Sequence, residues 1–152
     1  VPDNAGTDTM FFIPVSVAPK GRKATYLNVI SAFRPEKKNP HRVGWTCGGD
    51  QVDYPGLVST QMADLTTVKI LINSVLSAPK AKMVVANLKD FYLGAPMERY
   101  EHVRIPVRVL PPKIMELYKL HDLVHNGFVY VEIRKGMYGL PQAGKLANHR
   151  LR

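Results

Sequence analysis

The chain has 152 residues, enough for one packed domain, and its 45% hydrophobic content is ordinary for a globular protein. It holds no run of 18 or more apolar residues, so no stretch is a candidate for a membrane-spanning helix. Its net charge of +9 points to an anionic partner, nucleic acid being the commonest.

The charge is uneven. Residues 1–76 carry 8 Lys/Arg against 6 Asp/Glu, whereas residues 77–152 carry 13 against 6. Cys47 is the single cysteine, which excludes an internal disulfide and a CxxC zinc site. It reads as a small buried hydrophobe in a reduced, intracellular setting, cytoplasm or nucleus.

Residues 1–9 are polar and expected to fray. Met10 to Val17 is mainly apolar and suits a short strand. Lys20-Gly21-Arg22-Lys23 is a basic turn, Tyr26 to Ile30 a second strand, and Arg34 to Pro40 a charged turn closed by two prolines. Arg42 to Cys47 reads as a third strand, followed by turns at Gly48-Gly49-Asp50 and Tyr54-Pro55-Gly56. Met62, Leu65, Val68, Leu71, Ile72, Val75 and Leu76 recur at helical spacing; Thr60 can cap that helix and Pro79 ends it.

The short, β-branched run Lys82 to Leu88 predicts a buried strand, with a turn at Lys89 to Gly94. His102 to Val107 predicts another strand, and Pro111 opens a helix through Leu120. Asn126-Gly127 predicts a hairpin turn, because both central positions of such a turn need positive φ. Phe128 to Ile133 is the strand leaving it. Gly136 to Gly139 is a bend, and Pro141 starts a last helix carrying Lys145, Arg150 and Arg152. Strands and helices mix without regular alternation, which predicts an α+β fold.

Three constellations could carry chemistry. Asn87 to Gly94 would lie at a strand end, where polar groups face ligands and an aromatic can stack on a sugar or base; the plainer alternative is a solvated turn whose aromatics fill the core. Arg134 to Lys145 joins a basic pair, glycines and a helix start, an arrangement that favours phosphate; it lacks the GxxxxGK[ST] order of a P-loop, and a Gly-rich hairpin exit is the alternative. Arg34, Lys37, Lys38 and Arg42 can grip phosphates or simply form a solvated charged turn. His121 and His125 would make a metal pair on one helix, but the Asn126-Gly127 turn argues against a helix there. No Ser-His-Asp or Cys-His set can be assembled.

Taken in order, Pro40-His41-Arg42-Val43 with Gly48-Gly49-Asp50 and Tyr54-Pro55-Gly56, then Leu88 to Arg99, then Arg134 to Gly144, the motifs resemble the reverse transcriptases of LTR retrotransposons. The likeness runs from about residue 20 onward. Tyr138 to Gly144 (YGLPQAG) is its most specific part and is similar to the copia-type YGLKQAP signature. The resemblance implies a right-hand polymerase fold: an N-terminal extension (1–19), a fingers-like part (20–80) and a partial palm (81–152). It implies Mg2+ as cofactor, held by palm aspartates. As partners it implies an RNA or DNA template-primer, a deoxynucleoside triphosphate and the remainder of a polyprotein, with no membrane.

Matched position by position, the first palm aspartate falls on Asn87. Asp90, Phe91 and Tyr92 fall beside the incoming nucleotide, Tyr92 under its sugar. Arg42 matches a fingers residue that reaches the triphosphate, and Gln142 a residue that contacts the nucleotide. Arg134, Lys135, Gly139 and Lys145 are assigned to nucleic-acid contact. Gly44 stands where the family has a second basic residue.

Two departures bear on activity. Asn87 offers a carbonyl oxygen without charge, and the Asp-Asp pair of a later hairpin does not occur before Arg152. The expectation is therefore a fragment or decayed element unable to polymerise. A palm without that hairpin would leave a sheet edge and a helix face uncovered, hence poor solubility alone. The alternatives are a non-catalytic basic nucleic-acid-binding remnant and a ribosomal-type basic protein.

Overall fold

A computed structural model describes residues 6–60 and 63–151. The fold is α+β, as the mixed pattern predicts. Its strands are β1 (Met10–Ile13), β2 (Thr25–Phe33), β3 (His41–Cys47), β4 (Pro96–Pro106) and β5 (Phe128–Lys135). Its helices are α1 (Leu65–Ser77), α2 (Pro112–Leu117) and α3 (Ala143–His149).

One sheet carries the strands in the order β1-β5-β4-β2-β3. Every neighbouring pair is antiparallel except β2 and β4, which run parallel through Thr25↔Val103 and Tyr26↔Arg104. A parallel pair needs a long crossover, and here residues 34–95 supply it, including β3 and α1.

β5 shows why the sheet is two-sided. Val129, Val131 and Ile133 are each 0% exposed, while the alternate residues Tyr130, Glu132 and Arg134 point the other way. Each such buried side chain contributes about 1.5–3 kcal/mol relative to exposure. Across the ladder Val103 and Ile105 of β4 join the same core, with Met115, Leu120, Met137 and Leu140 closing over it. The turn before β5 has Asn126 at φ 48° and Gly127 at φ 79°, the positive pair that the Asn-Gly dipeptide predicts.

Several boundaries differ from expectation. Pro14 leaves β1, and a 3-10 turn covers Val15–Val17 in place of continued strand. The cap of α1 is Asp64, whose carboxylate accepts from the Thr67 amide at 2.8 Å and the Thr67 hydroxyl at 3.0 Å. Thr60 therefore lies outside the helix, and the expected first apolar position, Met62, lies outside the described residues. α2 stops at Leu117 because Lys119 turns left-handed at φ 51°.

The main correction concerns Lys82 to Leu88. This run forms no strand and all seven residues are exposed. An apolar, β-branched sequence becomes a strand only where another strand offers its unpaired amides and carbonyls. None does so for this segment among the described residues. Helix α1 buries none of its residues either, and Leu65, Ile70, Leu71, Ile72 and Leu76 stay open to solvent.

Candidate functional site

The glycine-rich segment after β5 packs on the end of β3. The Cys47 amide donates to the Tyr138 carbonyl at 2.8 Å, and Gly139, at φ 93°, lies against the Cys47 carbonyl where a Cβ would collide. The Gly136 amide donates to the Ala95 carbonyl at 2.7 Å, and Tyr92 meets Tyr138 edge-to-face at 4.7 Å. Three segments distant in sequence, 47–49, 92–95 and 136–142, thus form one junction.

Gln142 is buried at this junction. Its amide nitrogen donates to Glu101 at 3.2 Å, and its Oε1 has no partner among the described residues. It borders a cavity of about 250 Å³ with Tyr54, Gly56, Met97 and Arg99. Glu101 is buried and paired with Arg22, so a carboxylate, an amide and a guanidinium form a chain inside the fold.

Asp90, Phe91, Lys89 and Gly94 line a separate, more open cavity of about 510 Å³, with Lys135 and Arg150. Asp90 sits at φ 52°, and its carbonyl accepts from the Gly94 amide at 3.2 Å. This left-handed bend turns the chain into the 3-10 turn Tyr92–Gly94. Lysines, an arginine and one carboxylate make the cavity suited to anionic ligands. Asn87 is exposed and irregular, not at a strand end as expected, because the strand that would have carried it does not form.

The other expected site residues scatter. Arg42 is exposed on the β2–β3 hairpin opposite Ala32. Neither of the two cavities holds Arg42, Asn87 and Gln142 together. Arg134 is already engaged: its Nε donates to Glu132 at 2.7 Å, and its guanidinium lies 3.9 Å from the centre of the Phe11 ring. Lys145 is half-buried on α3. Gly139 serves the backbone packing described above.

His121 and His125 do not share a helix, since a 3-10 turn ends at Leu123 and His125 starts the β5 hairpin. No group of three or more His, Cys, Asp or Glu residues stands ready for a metal among the described residues. No helix there is long and apolar enough to cross a membrane. Cys47 is buried at 3% exposure, and burial, with Glu101 nearby, pushes its thiol up to about 12.

Glu101, Arg22 and Arg150 were not expected as partners in these sites, and Tyr138 was expected only as part of the YGLPQAG motif. Their roles depend on contacts between distant segments, for which no local spacing gives a signal. Compared with protein-family models, with curated proteins and with solved structures, the chain matches none.

Proposed function

We propose that the chain is a reverse-transcriptase-like domain, with fingers-like and palm-like parts, that binds nucleic acid without polymerising it. The observation that carries this reading is the junction at Cys47, Tyr92 and Tyr138. There the segments that bear the family-like motifs meet through backbone hydrogen bonds and ring contacts. Arg42, Asn87 and Gln142 share neither cavity, an arrangement that the ribosomal-type alternative also expects.

The net charge of +9 and the cavity lined by Lys89, Lys135 and Arg150 support a polyanionic ligand. Polymerisation is not expected, because two-metal catalysis needs anionic oxygens. Asn87, at the position of a palm aspartate, has none, so Mg2+ would be held weakly.

Fluorescence anisotropy with a labelled primer–template tests the binding, and primer extension tests the chemistry. Binding should weaken steeply from 50 to 200 mM salt, and Arg150→Glu should weaken it at every salt concentration. No extension should appear with Mg2+ and all four deoxynucleotides. Absence of binding at low salt would overturn the nucleic-acid reading, and extension abolished by EDTA would overturn the claim of inactivity.

A further inference from the structure

We propose a second anion site, specific for a phosphate group, on the polar face of the sheet opposite the core. It stands on its own cavity and does not rest on the polymerase-like reading. The segment 15–24 crosses this face and encloses about 280 Å³. Lys20, Arg22, Lys23, His102, Arg104 and Tyr130 line it, and none of the residues lining it is an Asp or Glu.

The register explains why these groups converge. On β4, His102 and Arg104 alternate with the core residues Val103 and Ile105, so both face away from the core. Tyr130 lies directly across from Arg104, and Glu132 across from His102. The basic turn then comes over the top, because Thr25 pairs with Val103 and brings residues 20–24 to the same edge.

Two of the cations are held in place before any ligand arrives. Arg22 donates to the Tyr100 carbonyl at 2.8 Å and to Glu101, both through one nitrogen, which leaves other N–H groups of the guanidinium for an anion. Arg104 lies 5.0 Å over the Phe128 ring. The neighbouring carboxylates are already engaged, Glu101 by Arg22 and Glu132 by Arg134.

His102 is the buried polar group of this face. Its side chain is 7% exposed, its Nε2 lies 3.6 Å from Glu132, and its Nδ1 has no partner among the described residues. Buried polar atoms in folded proteins nearly always have a partner. The ring lines the cavity, so an anion bound there changes the surroundings of the imidazole. The cavity is at the small end for ligand pockets, so it takes a phosphate or diphosphate group rather than a whole nucleotide. That group is either a free phosphate or the phosphodiester of a strand.

The test uses the full chain with pyrophosphate and with a 12-nucleotide oligothymidylate, at matched ionic strength. Pyrophosphate should bind saturably and shift the His102 ring resonances. Arg104→Glu and, separately, Lys23→Glu should each weaken it at least tenfold, while Lys113→Glu, an equal charge change on exposed α2, should leave it intact. Lys23 is exposed, so its variant keeps the test open if Arg104→Glu fails to fold. An oligonucleotide that shifts the His102 ring, with pyrophosphate competing and Arg104→Glu removing that shift, identifies the ligand as a strand phosphodiester. A pyrophosphate shift of the His102 ring that no oligonucleotide reproduces identifies it as a free phosphate. Equal losses in Lys113→Glu, or an unmoved His102 ring, would overturn the site.

Discussion

The amide of Cys47 donates to the carbonyl of Tyr138 at 2.8 Å, and the residue after Tyr138 lies against the Cys47 carbonyl. This contact ties the end of β3 to the glycine-rich segment that leads into α3. It holds only because Gly139 has φ 93° and no Cβ.

Gly139→Ala should therefore be costly. A Cβ there meets backbone, which cannot swing aside, and the positive φ adds strain. A loss of about 2–4 kcal/mol is expected, which lowers the melting temperature by roughly 5–15 °C. Gly144→Ala is the contrast: it lies in α3, its Cβ would meet nothing within 4 Å, and the helix gains from alanine. Thermal melts of the pair decide the matter, and equal melting temperatures would remove Gly139 from its role.

Cys47 should be inert in the folded chain. With its thiol pushed up to about 12 by burial, about one molecule in ten thousand is ionised at pH 8, against roughly one in four for an ordinary cysteine. Alkylation by iodoacetamide should be slow in buffer and fast in denaturant. Rapid labelling of native protein would mean that the β3 end opens readily.

Burial pushes His102 down from its ordinary value, and the charge of Arg22 adds to the shift; Glu132 and Glu101 oppose it. The fold thus prefers the neutral ring, and the unfolded chain binds the proton more readily. Stability from this group is full above about pH 6.5, the unfolded value. It is lost as pH falls from there toward the lower folded value. The melting temperature should drop between pH 7.5 and 5.5, and His102→Gln should flatten that slope. An unchanged slope in the variant would assign the pH dependence to other groups.

The open face of α1 predicts a solubility effect without a stability effect. Leu71 and Leu76 are exposed, and α1 buries none of its residues. Leu71→Glu with Leu76→Glu should raise solubility and leave the melting temperature within about 1–2 °C, since surface changes of this kind stay near ±0.5 kcal/mol. A large fall in melting temperature would show that the helix packs on something in solution.

What could be read from the residues depended on the range of the physics involved. Phe128 to Ile133 announces a strand because β propensity is a local property, and Asn126-Gly127 announces its turn because φ is. The helix at 65–77 is legible for the same reason, while its cap moved from Thr60 to Asp64, both oxygen-bearing residues able to start a helix. Lys82 to Leu88 misled because β propensity reports fitness for a sheet and not the presence of a partner. Asn87 lost its expected strand-end setting with it.

The sequence by itself determined the α+β class, the strands around residues 102–106 and 128–133, the buried character of Cys47 and the net charge of +9. The tertiary structure alone decided that Tyr138 meets Cys47, that Glu101 links Gln142 to Arg22, and that residues 20–24 roof His102. Those outcomes follow from strand order and register, which join residues through space at positions that no local spacing along the chain encodes.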